Sequence, residues 1–379
     1  MQAGDTIYLD YQAATPVDER VLRVMQAAYF THFANPHSAD HVLGWRAAAA
    51  IDIAAVQVAD LFGLGADDVI FTSGASEANA MALNAAKAIA SQTGRTEVLI
   101  GSGDHGSIRN EADSSGLLVK YISIDERGAP DPNHLQALIS ERTALVSVIG
   151  VNNENGAIAE LGGIAAICKS YGIPFHADLA QAPLATNIDL LDLDIPLATV
   201  SAHKLYGPKG IGALLVGPGA SELIKPVIMG AGQQNGRRGG TMPTELIMGF
   251  GEACRLVAIE GTIERDRISS LRNRFVKILE EKQIARLVGG RVGRHPGNAL
   301  MHFQGRNAAD LLARLQPYIA ASTQSACSSG RLQPSHVLIA MGLDNETASE
   351  CIRFSFGRFS DDGQVDRATA RLVQEVARG

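Results

Sequence analysis

From about residue 40 to residue 216, short apolar runs alternate with helix-length segments, and few architectures accommodate that rhythm. The runs "DVIFT", "EVLIG", "LLVKYI", "ALVSVIG", "IPFHAD", "LATVSA" and "GALLV" read as strands. Together they predict an α/β fold, a mainly parallel sheet covered by helices on both faces. The stretch "SADHVLGWRAAAAIDIAAVQVADLFG" reads as one of those helices, with Ser38 as N-cap, apolar residues at helical spacing and a glycine stop. Sheets of this kind bind ligands in the loops beyond the carboxyl ends of their strands.

After this region comes a long helical stretch, then a smaller α+β region from about 285 to 379. We expect a large domain over residues 14–257 and a small one built from residues 1–13 and 258–379. A chain of 379 residues has the length for two such units. With 33 Lys and Arg against 40 Asp and Glu the net charge is −7, and no block of like charges stands out. That excludes a broad basic surface, so no direct nucleic-acid binding is expected. The longest clean apolar run, "ALVSVIGV", is far below the roughly 20 residues of a membrane helix, so no membrane association is expected. The opening residues show no basic region followed by an apolar stretch, so no signal peptide is expected. Four widely spaced cysteines, Cys168, Cys254, Cys327 and Cys351, form no C-x-x-C pair. Neither disulfides nor a metal site is indicated, and a reducing cytoplasm fits.

Polar residues recur at the strand ends. "FTSGASEANA" runs from a strand through Gly74, Ala75 and Ser76 into an Ala-rich helix, where small residues and free N–H groups suit a phosphate. A capped helix start explains the same residues. "FHADLAQA" places Asp178 and Gln181 after another strand; a carboxylate there suits a protonated heterocycle nitrogen, or caps a turn. "GDHGS" offers His105, and "VNNENG" offers Asn152 and Asn153.

Lys204, in "SAHKLYGPKG", makes these positions cohere. An amine condenses with an aldehyde only when neutral, which requires desolvation or nearby cations. The bland alternative is a surface lysine snorkelling from a loop. Pyridoxal phosphate would use every part: a lysine for its aldehyde, a carboxylate for its ring nitrogen, small-residue N–H groups for its phosphate.

The chain resembles the cysteine desulfurases of the NifS/IscS type, within the class V aminotransferases of fold-type I pyridoxal-phosphate enzymes. The resemblance runs from "YLDYQAATPVD" through "NPHSADHVLGW", "FTSGASEANA", "VNNENG", "FHADLAQA", "SAHKLYGPKGIGALLV" and "RRGGT" to "SACSSG" and "IRFSFGRF". It implies Lys204 as the Schiff-base lysine, Asp178 as partner of the ring nitrogen and Gln181 as donor to the ring oxygen. It implies His105 stacked over the ring, and Ala75, Ser76, Ser201 and His203 at the phosphate. Thr241 would reach the phosphate of the other subunit of a homodimer, while Asn153 and Arg353 would hold the substrate carboxylate. Cys327 would take sulfur from L-cysteine, leaving alanine and an enzyme persulfide for an acceptor protein. Its setting, "ASTQSACSSGRLQPS", is small and polar, whereas Cys168 and Cys254 lie among apolar residues on helices.

Some positions depart from the family pattern. Gln324 replaces the usual Gly before "SAC", Ala231 and Gln234 replace Gly and Glu, and the sequence ends at "LVQEVARG", where some relatives have a longer tail. These features bear on the acceptor, with iron–sulfur cluster assembly, tRNA thiolation and DNA phosphorothioation as candidate pathways and the last favoured. A selenocysteine lyase, a non-catalytic delivery subunit and a plain nucleotide-binding protein are the competing readings.

Overall fold

The computed structural model describes residues 5–323 and 335–378. Its strands are β1 (Ile7–Tyr8), β2 (Val69–Thr72), β3 (Glu97–Gly101), β4 (Leu118–Ile122), β5 (Thr143–Ile149), β6 (Phe175–Asp178), β7 (Leu197–Ser201), β8 (Gly212–Val216), β9 (Arg286–Leu287), β10 (Asn298–His302), β11 (Ile319–Ala320), β12 (Ser322–Thr323) and β13 (Cys351–Ser355). Its α-helices are α1 (Glu19–Thr31), α2 (Val42–Asp60), α3 (Ala75–Thr93), α4 (Gly106–Asp113), α5 (Pro132–Leu138), α6 (Leu161–Ser170), α7 (Thr244–Glu281), α8 (Ala308–Arg314), α9 (His336–Ala340), α10 (Asn345–Ser349) and α11 (Asp362–Ala377).

Each of the seven apolar runs becomes a strand of one sheet, in the order β2-β8-β7-β6-β5-β3-β4. Strands β4, β3, β5, β6 and β7 are parallel, and β8 runs antiparallel to both of its neighbours. Along β2 the side chains alternate between two helical layers. Val69 and Phe71 join the core that α2, α6 and α7 form through Ile51, Ile164 and Phe250, while Ile70 joins Met81 and Ile108 of α3 and α4. Only the edge strand β4 exposes side chains, Leu118 and Tyr121.

A second core gathers Phe275 of α7, Phe303, and Phe354 and Phe356 in and after β13 around the antiparallel sheet β12-β13-β10-β9. Ile7 and Leu9 from the N-terminal segment belong to it, and β1 pairs with β11. α7 serves both cores, with Phe250 in the first and Phe275 in the second.

One expectation needs correction. The cap of α2 is His41, not Ser38: its Nδ1 accepts the Gly44 N–H at 3.1 Å. The carbonyl of Ser38 instead packs so closely on Gly44 that a Cβ there would lie 2.2 Å from it. α2 is also long and apolar enough, by length and composition, to cross a membrane. Its Ala47, Ala50, Ile51, Ala54 and Val58 face is nonetheless buried within the protein.

Candidate active site

Lys204 ends a single 3-10 turn, Ala202–Lys204, that follows β7. The N-terminal segment clamps this bend. Thr15 donates to the His203 carbonyl from both its N–H (3.0 Å) and its Oγ1 (2.9 Å). The Tyr206 N–H donates to Thr15 Oγ1 at 2.7 Å, and the Asp18 N–H to the Tyr206 carbonyl at 2.9 Å. Tyr206 takes φ +63°, a left-handed conformation that costs an aromatic residue energy. Its surroundings offset that cost. The ring is buried under the Arg358 guanidinium, 4.4 Å from its centroid, and its hydroxyl accepts the Arg358 N–H at 2.7 Å. Arg358 in turn pairs with Asp18 at 2.5 Å and Glu264 at 2.6 Å. The bend so fixed sends Lys204 Nζ to the carbonyls of Gln12 (2.8 Å) and Ala13 (2.6 Å).

Asp178 ends β6 and is buried. Its Oδ2 accepts from Asn79 Nδ2 at 2.9 Å, and its Oδ1 from the Ala180 N–H at 3.0 Å. Two residues earlier His176 is buried between Ser147 Oγ (2.9 Å) and Thr199 Oγ1 (3.0 Å). Burial holds its imidazole down to about 4, so it is neutral. Gln181 Nε2 donates to the Gln12 carbonyl at 2.8 Å, the same oxygen that Lys204 reaches. Sequence reasoning missed Asn79. A signal existed: an amide in an Ala-rich helix, three residues after Ser76 and so on the face of the helix start.

The start of α3 forms a cradle. Gly74 caps it with no side-chain bond and φ +148°, leaving the N–H groups of Ala75, Ser76 and Glu77 without intrahelical acceptors. A Cβ on Gly212 would lie 2.8 Å from Gly74 Cα, so the backbones of β8 and this turn approach as closely as glycines allow. Ser201 Oγ lies 2.9 Å from His203 Nδ1. Burial, then the Lys204 and Lys209 cations, hold the His203 imidazole down to about 4. Behind the cradle, Glu77 accepts from Arg238 Nε at 2.7 Å and from the Ser73 N–H at 2.7 Å. Burial alone raises the Glu77 carboxyl, but these donors outweigh it and hold it below the usual carboxylate range. A cavity of about 60 Å³ beside them is lined by Thr72, Ser73, Gly210, Arg238 and Met242. Thr241 is exposed on the loop before α7.

His105 caps α4, its Nδ1 accepting the Ser107 N–H at 3.2 Å, and is exposed. Beneath it Asp104 is fully buried and accepts the N–H groups of Ile149 (2.8 Å) and Gly101 (3.0 Å). Burial pushes its carboxyl up to about 8. Arg353, on β13, donates from Nη1 to the Asn153 carbonyl at 2.6 Å and from Nη2 to Asp10 Oδ1 at 2.8 Å. Asn152 builds the loop around Asn153. Its Oδ1 accepts the Glu154 N–H at 2.8 Å, and its Nδ2 donates to the Gly103 carbonyl at 2.9 Å. Cys327, Gln324 and their neighbours lie outside the described residues. The other three cysteines are buried; burial pushes the Cys168 and Cys351 thiols up to about 12 and raises Cys254 as well.

Lys204, Gln181, Asp178, Ser201, His203 and the α3 start therefore surround the carboxyl ends of β6 and β7. Asn79 Oδ1 and Gln12 Nε2 are buried there with no hydrogen-bond partner among the described residues. An amine, a braced carboxylate and a cradle of free N–H groups fit pyridoxal phosphate. This fold and donor set are those of the class V aminotransferases, and the chain belongs to that family, whose model matches residues 7–368. It is a pyridoxal-phosphate-dependent enzyme. Within the family it is similar to cysteine desulfurases. It is 38% identical over 377 residues to cysteine desulfurase IscS of Rickettsia bellii, covering 98% of this chain and 91% of the relative. A solved NifS-like protein superposes with a TM-score of 0.92 at 28% identity, over 99% of this chain and 100% of that one. A structure described as "SspA in complex with cysteine" gives 0.81 at 31% identity, over 94% and 100%.

Proposed function

We propose that this enzyme is a cysteine desulfurase that takes sulfur from L-cysteine, releases L-alanine and leaves a persulfide on Cys327 for an acceptor protein. One observation carries the reading. Lys204, Gln181 and Arg353, from three distant elements, all bind the four residues Asp10–Ala13, which brings the reacting amine and the carboxylate-binding guanidinium to one short segment. The similarity to named cysteine desulfurases supports the substrate.

When bound, pyridoxal phosphate supplies an aldehyde that captures amines and a ring that stores the electrons of a departing proton. The chain's own residues do the rest. Asp178, oriented by Asn79, would hold a proton on the ring nitrogen, and Gln181 would donate to the ring oxygen. Ala75, Ser76, Ser201 and His203 hold the phosphate, joined by Thr241 of a second copy. Arg353 and Asn153 bind the α-carboxylate of cysteine. Lys204 Nζ would remove the α-proton, and His105 would face the bound cofactor and move protons to and from the substrate. The Cys327 thiolate attacks the substrate sulfur: an S–S bond forms, the C–S bond breaks, and its electron pair stays on the substrate; one proton delivered to the β-carbon and one returned to the α-carbon then give alanine.

α1, α2 and the segment before α7 leave Tyr29, Phe30, Trp45 and Met229 exposed. So much exposed apolar side chain supports a homodimer. The two cores support a large domain over 14–257 and a small one of 1–13 and 258–379 that carries Cys327. The work place is the cytoplasm, and the acceptor is a protein of iron–sulfur cluster assembly or DNA phosphorothioation. Borohydride reduction of the yellow enzyme followed by peptide mapping tests the site. Label on Lys204 is expected, with no alanine formed by Lys204→Ala; label on Lys209 overturns it.

A further inference from the structure

Arg353 does not wait for substrate as a bare cation. Its side chain is 7% exposed and pairs with Asp10, which is itself 17% exposed. The carboxylate is fixed at both oxygens: Oδ1 accepts from Arg353 Nη2 at 2.8 Å and Oδ2 from Ser322 Oγ at 2.8 Å. Its backbone is fixed too, bridged to Ser355 and accepting Tyr8 Oη at 3.0 Å. The guanidinium has more N–H groups than these partners use. Nε is buried with no partner among the described residues. An amino-acid carboxylate can therefore bind Arg353 while Asp10 remains, and the two anions then share one cation in a poorly hydrated place.

We infer that Asp10 is a positioning residue that tempers the grip of Arg353 on the α-carboxylate, so that the product L-alanine leaves. The inference rests on the reading that Arg353 binds that carboxylate. Cysteine and alanine carry the same carboxylate, so an uncompensated arginine would hold the product as firmly as the substrate. A like charge held beside the site weakens both. A purely structural strap makes the opposite prediction, since loosening Arg353 would weaken both ligands.

The test is equilibrium binding of L-alanine to the holoenzyme by calorimetry, with KM for L-cysteine alongside. Asp10→Asn keeps the acceptor oxygen and removes the charge. We expect its Kd for L-alanine to fall at least about threefold, with KM falling in parallel. An unchanged or raised Kd overturns the inference. Ser322→Ala removes the hydroxyl that shares the Asp10 charge and should raise the Kd; should Asp10→Asn fail to fold, an unchanged Kd in Ser322→Ala overturns the inference. Arg353→Lys separates the two levels. If it leaves alanine binding intact, the carboxylate reading falls. If it weakens alanine while Asp10→Asn does not tighten it, only the role of Asp10 falls.

Discussion

Asn79 Nδ2 donates to Asp178 Oδ2 at 2.9 Å, so a helix residue 99 positions earlier in the chain orients the carboxylate at the end of β6. A hydrogen bond to a buried charged group contributes about 1.5–3 kcal/mol. Asn79→Ala should therefore weaken cofactor retention by roughly ten- to a hundredfold. Visible absorbance after dialysis measures this. Wild-type retention would mean that Ala180 alone suffices to orient Asp178.

Gln234 stands where the family resemblance leads one to expect glutamate, and the fold gives it a task. Its Oε1 accepts the Phe71 N–H at 2.7 Å, and its Nε2 donates to the Phe71 carbonyl at 2.9 Å, completing the open edge of β2. Gln234→Glu loses the donor and faces a carboxylate with a carbonyl. We expect a loss of about 1–3 kcal/mol in urea unfolding at pH 7. The deficit should shrink in acid, where the new carboxyl is protonated and donates again.

Glu154 sets a pH dependence of stability. Burial pushes its carboxyl up to about 7, against the opposing pull of the Ser335 hydroxyl and Arg353. The folded state thus binds a proton that the unfolded state has already released. The resulting stabilisation is fully present below about pH 4.5 and is lost as pH rises through about 7. Glu154→Gln should flatten the unfolding free energy between these limits, by on the order of 2–3 kcal/mol over the window. Parallel curves for the two proteins would contradict this.

Much of this was legible in the sequence. The seven apolar runs become the seven strands of the large sheet: six are buried on both faces and so must be apolar throughout, and the seventh, β4, is the partly exposed edge. Lys204, Asp178 and Gln181 could be singled out because each follows such a run. Asp10, Asn79 and the Gln12 carbonyl were not, because their importance comes from partners far away in sequence, and a backbone oxygen carries no residue signature. His41 displaced Ser38 as the α2 cap for a local reason, an imidazole nitrogen accepting as well as a hydroxyl.

The cysteines should divide sharply. Cys327→Ser should still bind pyridoxal phosphate and still change its absorbance with L-cysteine, while kcat and kcat/KM fall together because serine lacks the soft nucleophile. Cys168→Ser, Cys254→Ser and Cys351→Ser should keep the chemistry, since their thiols are buried and raised. Any loss in these three should follow thermal stability. Desulfuration at the wild-type rate by Cys327→Ser would remove Cys327 from the mechanism.

The most direct measurement is a single turnover without reductant: L-cysteine is added to the holoenzyme, alanine is quantified, and the digested protein is mapped by mass spectrometry. A cysteine desulfurase acting through Cys327 yields alanine in equal amount to one extra sulfur atom on the peptide carrying Cys327. Alanine with the extra sulfur on another cysteine peptide, or no alanine at all, would contradict the account.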